Sequence, residues 1–354
     1  MPTVLWWGRT ERDYSRNRIV RGLFADLGWE VAYFHPFSSQ LGLLEAAVRR
    51  PSRPDLLWVP CFRHRDIHSA AVWAKKWRVP LVLDPLISAY EKEVFERRKW
   101  PPESPRAERR RLWEAGLFRK GDILVADTSA HAAFFQERLH VQPDKCHVLF
   151  VSAEAGLFEP RPLPEAGPPF ELLFYGSFLE LHGVEVIVRA AKLFDRPDVV
   201  WTLLGEGDLK EAIRAEARGY PNIRFESWIP YETLPDRIAR AHILLGVFGP
   251  TVLTDLVIPN KIFQAMAMGR PVITSRSRGY AGTLDGSEVI GWVPDGDPAA
   301  LAGKVREWLA DPASLARRGL ATRGLFDLHF SPARMKTALK DILDHALGQR
   351  NSTP

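Results

Sequence analysis

The chain has 354 residues, with 48 lysines and arginines against 43 aspartates and glutamates, and 46% of its residues are apolar. At roughly 150 residues per domain this predicts two domains that each bury a core, and it excludes disordered, collagen-like and coiled-coil chains. Two cysteines, Cys61 and Cys146, exclude a disulfide framework and a cysteine-based zinc cluster, and no apolar run reaches the roughly 18 residues of a membrane span.

Residues 1–9 lack the basic-then-apolar pattern of a signal peptide, so a cytoplasmic protein is expected. Short β-rich runs then alternate with amphipathic stretches. Strands are predicted over 3–7, 30–34, 56–59, 81–84, 123–126 and 147–150, with helices over 16–27, 66–77 and 129–139 between them. Such alternation, with strands apolar throughout, predicts a parallel sheet covered by helices on both faces. Five prolines between Pro160 and Pro169 read as a stiff linker. The alternation restarts, with strands over 171–175, 199–204, 223–226, 243–246, 271–274 and 288–293 and helices over 184–194, 260–268 and 298–310. A last helix over 332–347 is capped by Ser331 with Pro332 at its first position. The organisation expected is residues 1–165 and 166–330 as two Rossmann-like domains facing each other across a cleft, followed by a last helical segment, 331–354. Ligands of such sheets bind beyond the carboxyl ends of the strands.

Several residues at those ends could carry chemistry. Gly8, followed by Arg9 and Thr10, allows close approach to a ligand. Asp84 precedes Pro85 and reads as an exposed carboxylate that orients an acceptor hydroxyl or acts as a base, or as a turn-forming residue. Asp127, Thr128 and His131 read mainly as a helix cap. Between Lys92 and Lys120, ten basic residues meet five acidic ones, so this segment carries the whole net charge of +5. With Phe95, Trp100, Trp113 and Phe118 it suits an anionic membrane surface, or a solvated helix with its aromatics packed inward, and it does not suit a nucleic-acid partner. In the second half, Gly205-Glu206-Gly207 reads as a tight turn after a strand. Pro259-Asn260-Lys261 opens a helix that stops at Gly269. A lysine in a first turn is unfavourable by about 0.3–1 kcal/mol unless an anion lies between it and the helix end, so Lys261 points to a bound phosphate, with a solvated lysine as the bland alternative. Asp295-Gly296-Asp297 is a turn and helix cap rather than a metal motif, and His64 with His68 lacks the further ligands of a zinc site.

The run from Pro259-Asn260-Lys261 through Gln264-Ala265-Met266-Ala267 to Gly269-Arg270-Pro271-Val272-Ile273 resembles the donor-binding helix of glycosyltransferase family 4, retaining nucleotide-sugar enzymes of the GT-B fold. Phe174-Tyr175-Gly176-Ser177-Phe178 with His182-Gly183-Val184-Glu185, and Leu203-Leu204-Gly205-Glu206-Gly207, resemble the opening loop and glycine turn of its second domain. The resemblance implies a metal-free site for a nucleotide-diphosphate sugar, a substrate and not a cofactor, formed by Gly176, Ser177, Gly205, Gly207, Trp228, Ile229, Asn260, Lys261 and Gln264. It implies an acceptor site in the first domain near Gly8 and Asp84, and a closing helix, within 331–354, that returns to the first domain. Where the family carries two glutamates, Gln264 fills the second place, Leu256 falls at the first, and Asp255 is the nearest carboxylate; Ser177 and His182 stand where it carries arginine and lysine. Diphosphate charge would fall to Lys261, the helix end and the amides of Gly176 and Ser177. The reading is a retaining, metal-independent transferase passing a sugar to a hydroxyl acceptor, lipid-linked or polysaccharide, in the cytoplasm or at the inner membrane face. Its rivals are a catalytically silent GT-B scaffold and a nucleotide-sugar epimerase.

Overall fold

The computed structural model describes residues 1–9, 14–194 and 196–351, so Thr10 lies outside the described residues. It divides into two compact units: unit 1 comprises Met1–Val151 and the segment from Pro332 onward, and unit 2 comprises Ser152–Ser331.

Unit 1 is a parallel sheet of β1 (Thr3–Trp7), β2 (Glu30–Phe34), β3 (Leu56–Val59), β4 (Leu81–Leu83), β5 (Ile123–Ala126) and β6 (Cys146–Val148), in the order β2-β1-β3-β4-β5-β6. Its helices are α1 (Ser15–Asp26), α2 (Gly42–Arg49), α3 (Ile67–Trp77), α4 (Ala89–Glu91), α5 (Pro105–Phe118) and α6 (Ser129–Leu139). β3, β4 and β5 are buried at every position, as strands covered on both faces must be. Trp6 stacks on Trp58 at 5.9 Å while Phe24 of α1 meets Trp58 edge-on at 5.3 Å.

Unit 2 repeats the plan with β7 (Phe170–Tyr175), β8 (Val199–Leu204), β9 (Ile223–Glu226), β10 (Ile243–Leu245), β11 (Val272–Ser275) and β12 (Gly291–Val293), all parallel, in the order β12-β11-β10-β7-β8-β9. Its helices are α7 (Val184–Lys192), α8 (Lys210–Glu216), α9 (Leu234–Ala239), α10 (Val252–Leu256), α11 (Asn260–Ala267), α12 (Pro298–Ala310) and α13 (Ser314–His329). The core gathers Phe174, Trp201, Leu203, Phe248, Ile273 and Trp308. The strand order reverses between β7 and β10, which makes their carboxyl ends the switch point where such sheets take ligands. The last helix, α14 (Pro332–Asn351), lays Met335, Leu339, Ile342, Leu343 and Ala346 against Val4, Trp6 and Trp58, so it closes the core of unit 1.

Two local differences from the sequence reading have physical causes. The proline-rich stretch 160–169, expected as a linker, is part of unit 2 together with 152–159, because the Ser152 hydroxyl donates to the Phe330 carbonyl at 2.6 Å and Arg270 donates to the carbonyls of Arg161 and Pro162 at 2.8 Å each. β12 is half its expected length, since the amide of Trp292 turns back to the Ile290 carbonyl and only Gly291–Val293 pair with β11. Of the two readings of segment 92–120, the helical one describes much of its length: α5 has Pro105 at its start and the Ser104 hydroxyl accepting from the Ala107 amide at 3.2 Å. Asp297 caps α12 by accepting from the Ala300 amide at 2.9 Å, and His64 pairs with buried Glu114 at 3.0 Å.

Candidate functional site

At the switch point of unit 2 the backbone crowds so closely that side chains are excluded. Gly176 follows β7 and Gly205 follows β8, with φ of +147° and +142°; a Cβ on Gly205 would lie 1.9 Å from the Gly176 carbonyl oxygen. Gly207, at φ +153°, would put a Cβ 2.6 Å from the Phe178 amide nitrogen. The two glycine turns therefore form one compact ledge. Its amides are partly spent: Gly176 donates to Leu204 at 2.9 Å and Gly205 to Glu226 at 3.0 Å. This corrects the expectation that the Gly176 amide is available to a phosphate, because the parallel ladder continues one residue past β7. Ser177 lies beyond that ladder, and its carbonyl accepts from His182.

Lys261 comes to this ledge from the first turn of α11. Its ammonium lies 3.9 Å from the centre of the Phe174 ring and would be 3.1 Å from a Cβ on Gly176. The side chain is buried, and among the described residues its Nζ has no hydrogen-bond partner. An unpaired ammonium out of water is costly, and the face of Phe174 offsets only part of that cost. Burial accordingly drives the Lys261 pKa well below that of a free lysine. His182 is pushed down to about 3 by burial and then by the Lys261 charge, so its ring is neutral near pH 7. This arrangement attracts an anion able to enter beside Gly176, with the amino end of α11 behind it.

The other expected donor residues divide. Asn260 is half-buried at the first position of α11. Gln264 is buried and held at both ends: Tyr175 donates to its Oε1 at 2.9 Å, and its Nε2 donates to the Tyr231 hydroxyl at 3.0 Å. Tyr231 in turn donates to Glu154. Trp228 and Ile229 follow β9 next to the glycine turn, Trp228 with half its surface in water and Ile229 half-buried. Asp255 lies on α10, a helix the sequence reading did not anticipate. It pairs with the Arg278 guanidinium and accepts from the Arg278 amide at 2.9 Å. It lines a separate cavity of about 390 Å³ with Arg276, Tyr280 and Trp292 and does not join the Lys261 cluster. Tyr231 belongs to the site and was missed, because a tyrosine between Pro230 and Glu232 carries no signal; Phe174 and Tyr175 were given no role of their own, because aromatics in an apolar strand read as core.

In unit 1, Gly8 has φ +132° and its amide donates to Phe34 at 3.0 Å; a Cβ there would meet Asp66 at 3.1 Å. Asp84 is not the exposed carboxylate expected. It is buried, and Arg16 grips it twice, Nε to Oδ2 at 3.0 Å and Nη2 to Oδ1 at 3.1 Å, while Arg16 also donates to the carbonyls of Leu149 and Phe150. Burial pushes the Asp84 pKa up against the opposing pull of Arg16. The reason is its partner: the Asp84 amide still continues the ladder, to the Val59 carbonyl at 2.9 Å, and its carboxylate is turned inward onto the buried guanidinium of Arg16. Behind it, His131 sits between Asp127 and Glu91 at 2.7 Å each, entirely out of water. Burial alone would depress this imidazolium, but Glu91 and Asp127 outweigh it and hold its pKa at about 10. Across 92–120, acids take up part of the positive charge: Glu93 pairs with Lys99 and Arg110, and Glu108 with Arg111. Phe118 packs inward while Leu112 and Trp113 are exposed. Among the described residues no helix is long and apolar enough to cross a membrane.

Residues 169–311 match the family model of group 1 glycosyl transferases, and residues 8–151 match that of the glycosyl transferase 4-like domain. The chain is 24% identical over 193 residues to a putative colanic acid biosynthesis glycosyltransferase, WcaL, of Escherichia coli strain K12, covering 52% of this chain and 47% of that one. It is 28% identical over 302 residues to the D-inositol 3-phosphate glycosyltransferase of Corynebacterium efficiens, covering 78% and 68%. The chain spans about half the length of the first of these curated relatives. Among solved structures, Anabaena Alr3699/HepE in complex with UDP-glucose superposes with a TM-score of 0.74 over 97% of this chain and 100% of that one, at 13% identity. That likeness assigns the GT-B fold. With two family models that together cover most of its length, the chain belongs to the GT4-type glycosyltransferases.

Proposed function

We propose that the protein transfers a sugar from a nucleotide-diphosphate donor to a hydroxyl acceptor, with retention of configuration and without a metal ion. The observation that carries this reading is the buried, unpartnered Lys261 ammonium against the Gly176–Gly205 ledge, at the amino end of α11. A diphosphate placed there supplies the missing counter-charge. As the glycosidic bond breaks, negative charge grows on the leaving diphosphate, and a preorganised ammonium and helix end stabilise that state more than the ground state. Support also comes from Alr3699/HepE, a protein of the same fold that was solved with UDP and with UDP-glucose. Trp228 offers an exposed aromatic face for the base, and Ser177 an amide beyond the ladder for a phosphate. Unit 1 takes the acceptor near Gly8, with a lipid-linked or polysaccharide hydroxyl as the chemical class and the basic segment 92–120 as the surface toward an anionic membrane.

Calorimetric titration with UDP, GDP, ADP, dTDP and their sugars, without metal, tests the donor site. One nucleotide diphosphate is expected to bind, and Lys261→Ala to weaken it roughly 10–100-fold, as loss of a charge-assisted contact does. Binding unchanged in Lys261→Ala removes this placement. The locked Gln264 and the paired Asp84 favour one rival, a GT-B protein that binds nucleotide sugar without turning it over. Binding without sugar transfer in an acceptor-rich extract selects that rival; conversion of the donor with no acceptor selects an epimerase.

A further inference from the structure

Helix α2 carries an apolar stripe on its outer side. Gly42 and Ala46, one turn apart, are buried, and a Cβ on Gly42 would lie 3.1 Å from Ser69 of α3. With that edge fixed against α3, Leu41, Leu44 and Val48 fall on the opposite side of the helix, where spacing of three and four residues aligns them. They are 56%, 66% and 81% exposed, and Phe37 in the preceding loop is 86% exposed. Single exposed leucines need no explanation, but three apolar side chains aligned on one helix and its cap, with a fourth in the adjoining loop, do.

The charges beside the stripe are net positive, since Glu45 offsets one arginine by pairing with Arg49 while Arg9, Arg50 and Arg53 remain in excess. Arg9 flanks the Phe37 end, its Nη1 donating to the Phe37 carbonyl at 2.9 Å. Arg49, Arg50 and Arg53 flank the Val48 end, all exposed. The carboxylate in the helix, Glu45, is occupied by the Phe37 amide at 2.8 Å and by Arg49 at 2.8 Å. An apolar stripe between cationic ends is complementary to acyl chains under anionic headgroups. A second copy of this chain would instead bring arginines toward arginines.

We propose that α2, with Phe37, Leu41, Leu44 and Val48 inserted and Arg9, Arg49, Arg50 and Arg53 against headgroups, docks unit 1 on an anionic lipid bilayer. This moves the apolar part of the membrane contact in the reading above from segment 92–120 to α2. It does not depend on the donor site in unit 2, so lipid binding and nucleotide binding can fail separately.

The test is co-sedimentation with vesicles of equimolar phosphatidylglycerol and phosphatidylcholine, and with phosphatidylcholine alone, at ~0.1 M salt. The protein is expected to partition onto the anionic vesicles, Leu44→Ser with Val48→Ser to lower partitioning about tenfold or more, and Arg49→Gln with Arg53→Gln to remove the preference for anionic lipid. Circular dichroism and calorimetry with UDP are expected to be unchanged in both double variants. Failure of the unmutated protein to sediment with anionic vesicles overturns the proposal, as does partitioning of Leu44→Ser/Val48→Ser equal to the parent. A dimer in size-exclusion chromatography that Leu44→Ser/Val48→Ser dissolves also overturns it, because the stripe would then face a second copy.

Discussion

Lys261 shows how a residue can be unfavourable by every local rule and still fit its place. It is a cation at the positive end of a helix and an ammonium out of water, with an aromatic face as its neighbour. Because burial depresses its pKa, a bound diphosphate would raise it again, and the protein would take up protons between the two values. Nucleotide titrations in buffers of different ionisation enthalpy are therefore expected to show net proton uptake on the alkaline side of neutrality. The same titrations on Lys261→Met are expected to show none, and uptake that persists there would place the coupling elsewhere. Gly205→Ala is a second probe: it forces a Cβ against the Gly176 carbonyl at a φ that L-residues avoid. A stability loss of at least about 1–3 kcal/mol is expected in urea unfolding, together with loss of nucleotide binding. Lys261 and both glycine turns were legible in the sequence, because a misplaced charge and glycines after strands are local signals. Asp84 was misread, since its partner Arg16 lies 68 positions away and only the folded sheet brings them together.

Elements in unit 1 are joined by buried charge. The Arg16–Asp84 pair ties α1 to the loop after β4, and the Asp127–His131–Glu91 triad ties α6 to α4. Removing one partner leaves the other charged and dry, so Asp84→Ala is expected to cost about 3–5 kcal/mol in unit 1. Asp84→Asn that folds normally yet abolishes transfer would return that residue to the chemistry. The triad gives a pH dependence with a definite sign. His131 binds its proton more tightly folded, with a pKa of about 10, than in an unfolded chain near 6.5. Its contribution is fully present below about pH 6.5 and is lost as pH rises toward 10, at up to about 1.4 kcal/mol per pH unit. Urea unfolding of unit 1 across that range is expected to show this slope, and His131→Gln to flatten it. Most strands were legible from apolar runs of four to six residues, whereas helices α2, α4, α8, α9, α10 and α13 were not. α13 has polar and apolar residues distributed almost evenly around it and packs by way of Gly319 and Thr322, so no periodic pattern marks it.

At the scale of the whole molecule the chain leaves unit 1 after Val151, builds unit 2 without interruption, and returns at Pro332. The helix was legible from the Ser331–Pro332 start signal and its return from the family resemblance, but which side chains α14 covers was not, because the apolar face it fills belongs to strands made more than 200 positions earlier. Removing the segment from Pro332 onward is expected to leave unit 2 resistant to protease and unit 1 rapidly cleaved, with the sheet around Trp6 and Trp58 uncovered. Equal resistance of both would mean that α14 is dispensable. The placement of α14 also delays the maturation of unit 1. Unit 1 is translated first, yet it lacks a wall until the final segment emerges, while the continuous unit 2 can close as soon as Ser331 is free. At about 5–20 residues per second the growing chain carries the apolar face of its first sheet open for many seconds. The nascent protein is thus expected to be a client of ribosome-associated chaperones for longer than a protein with two contiguous domains of this size.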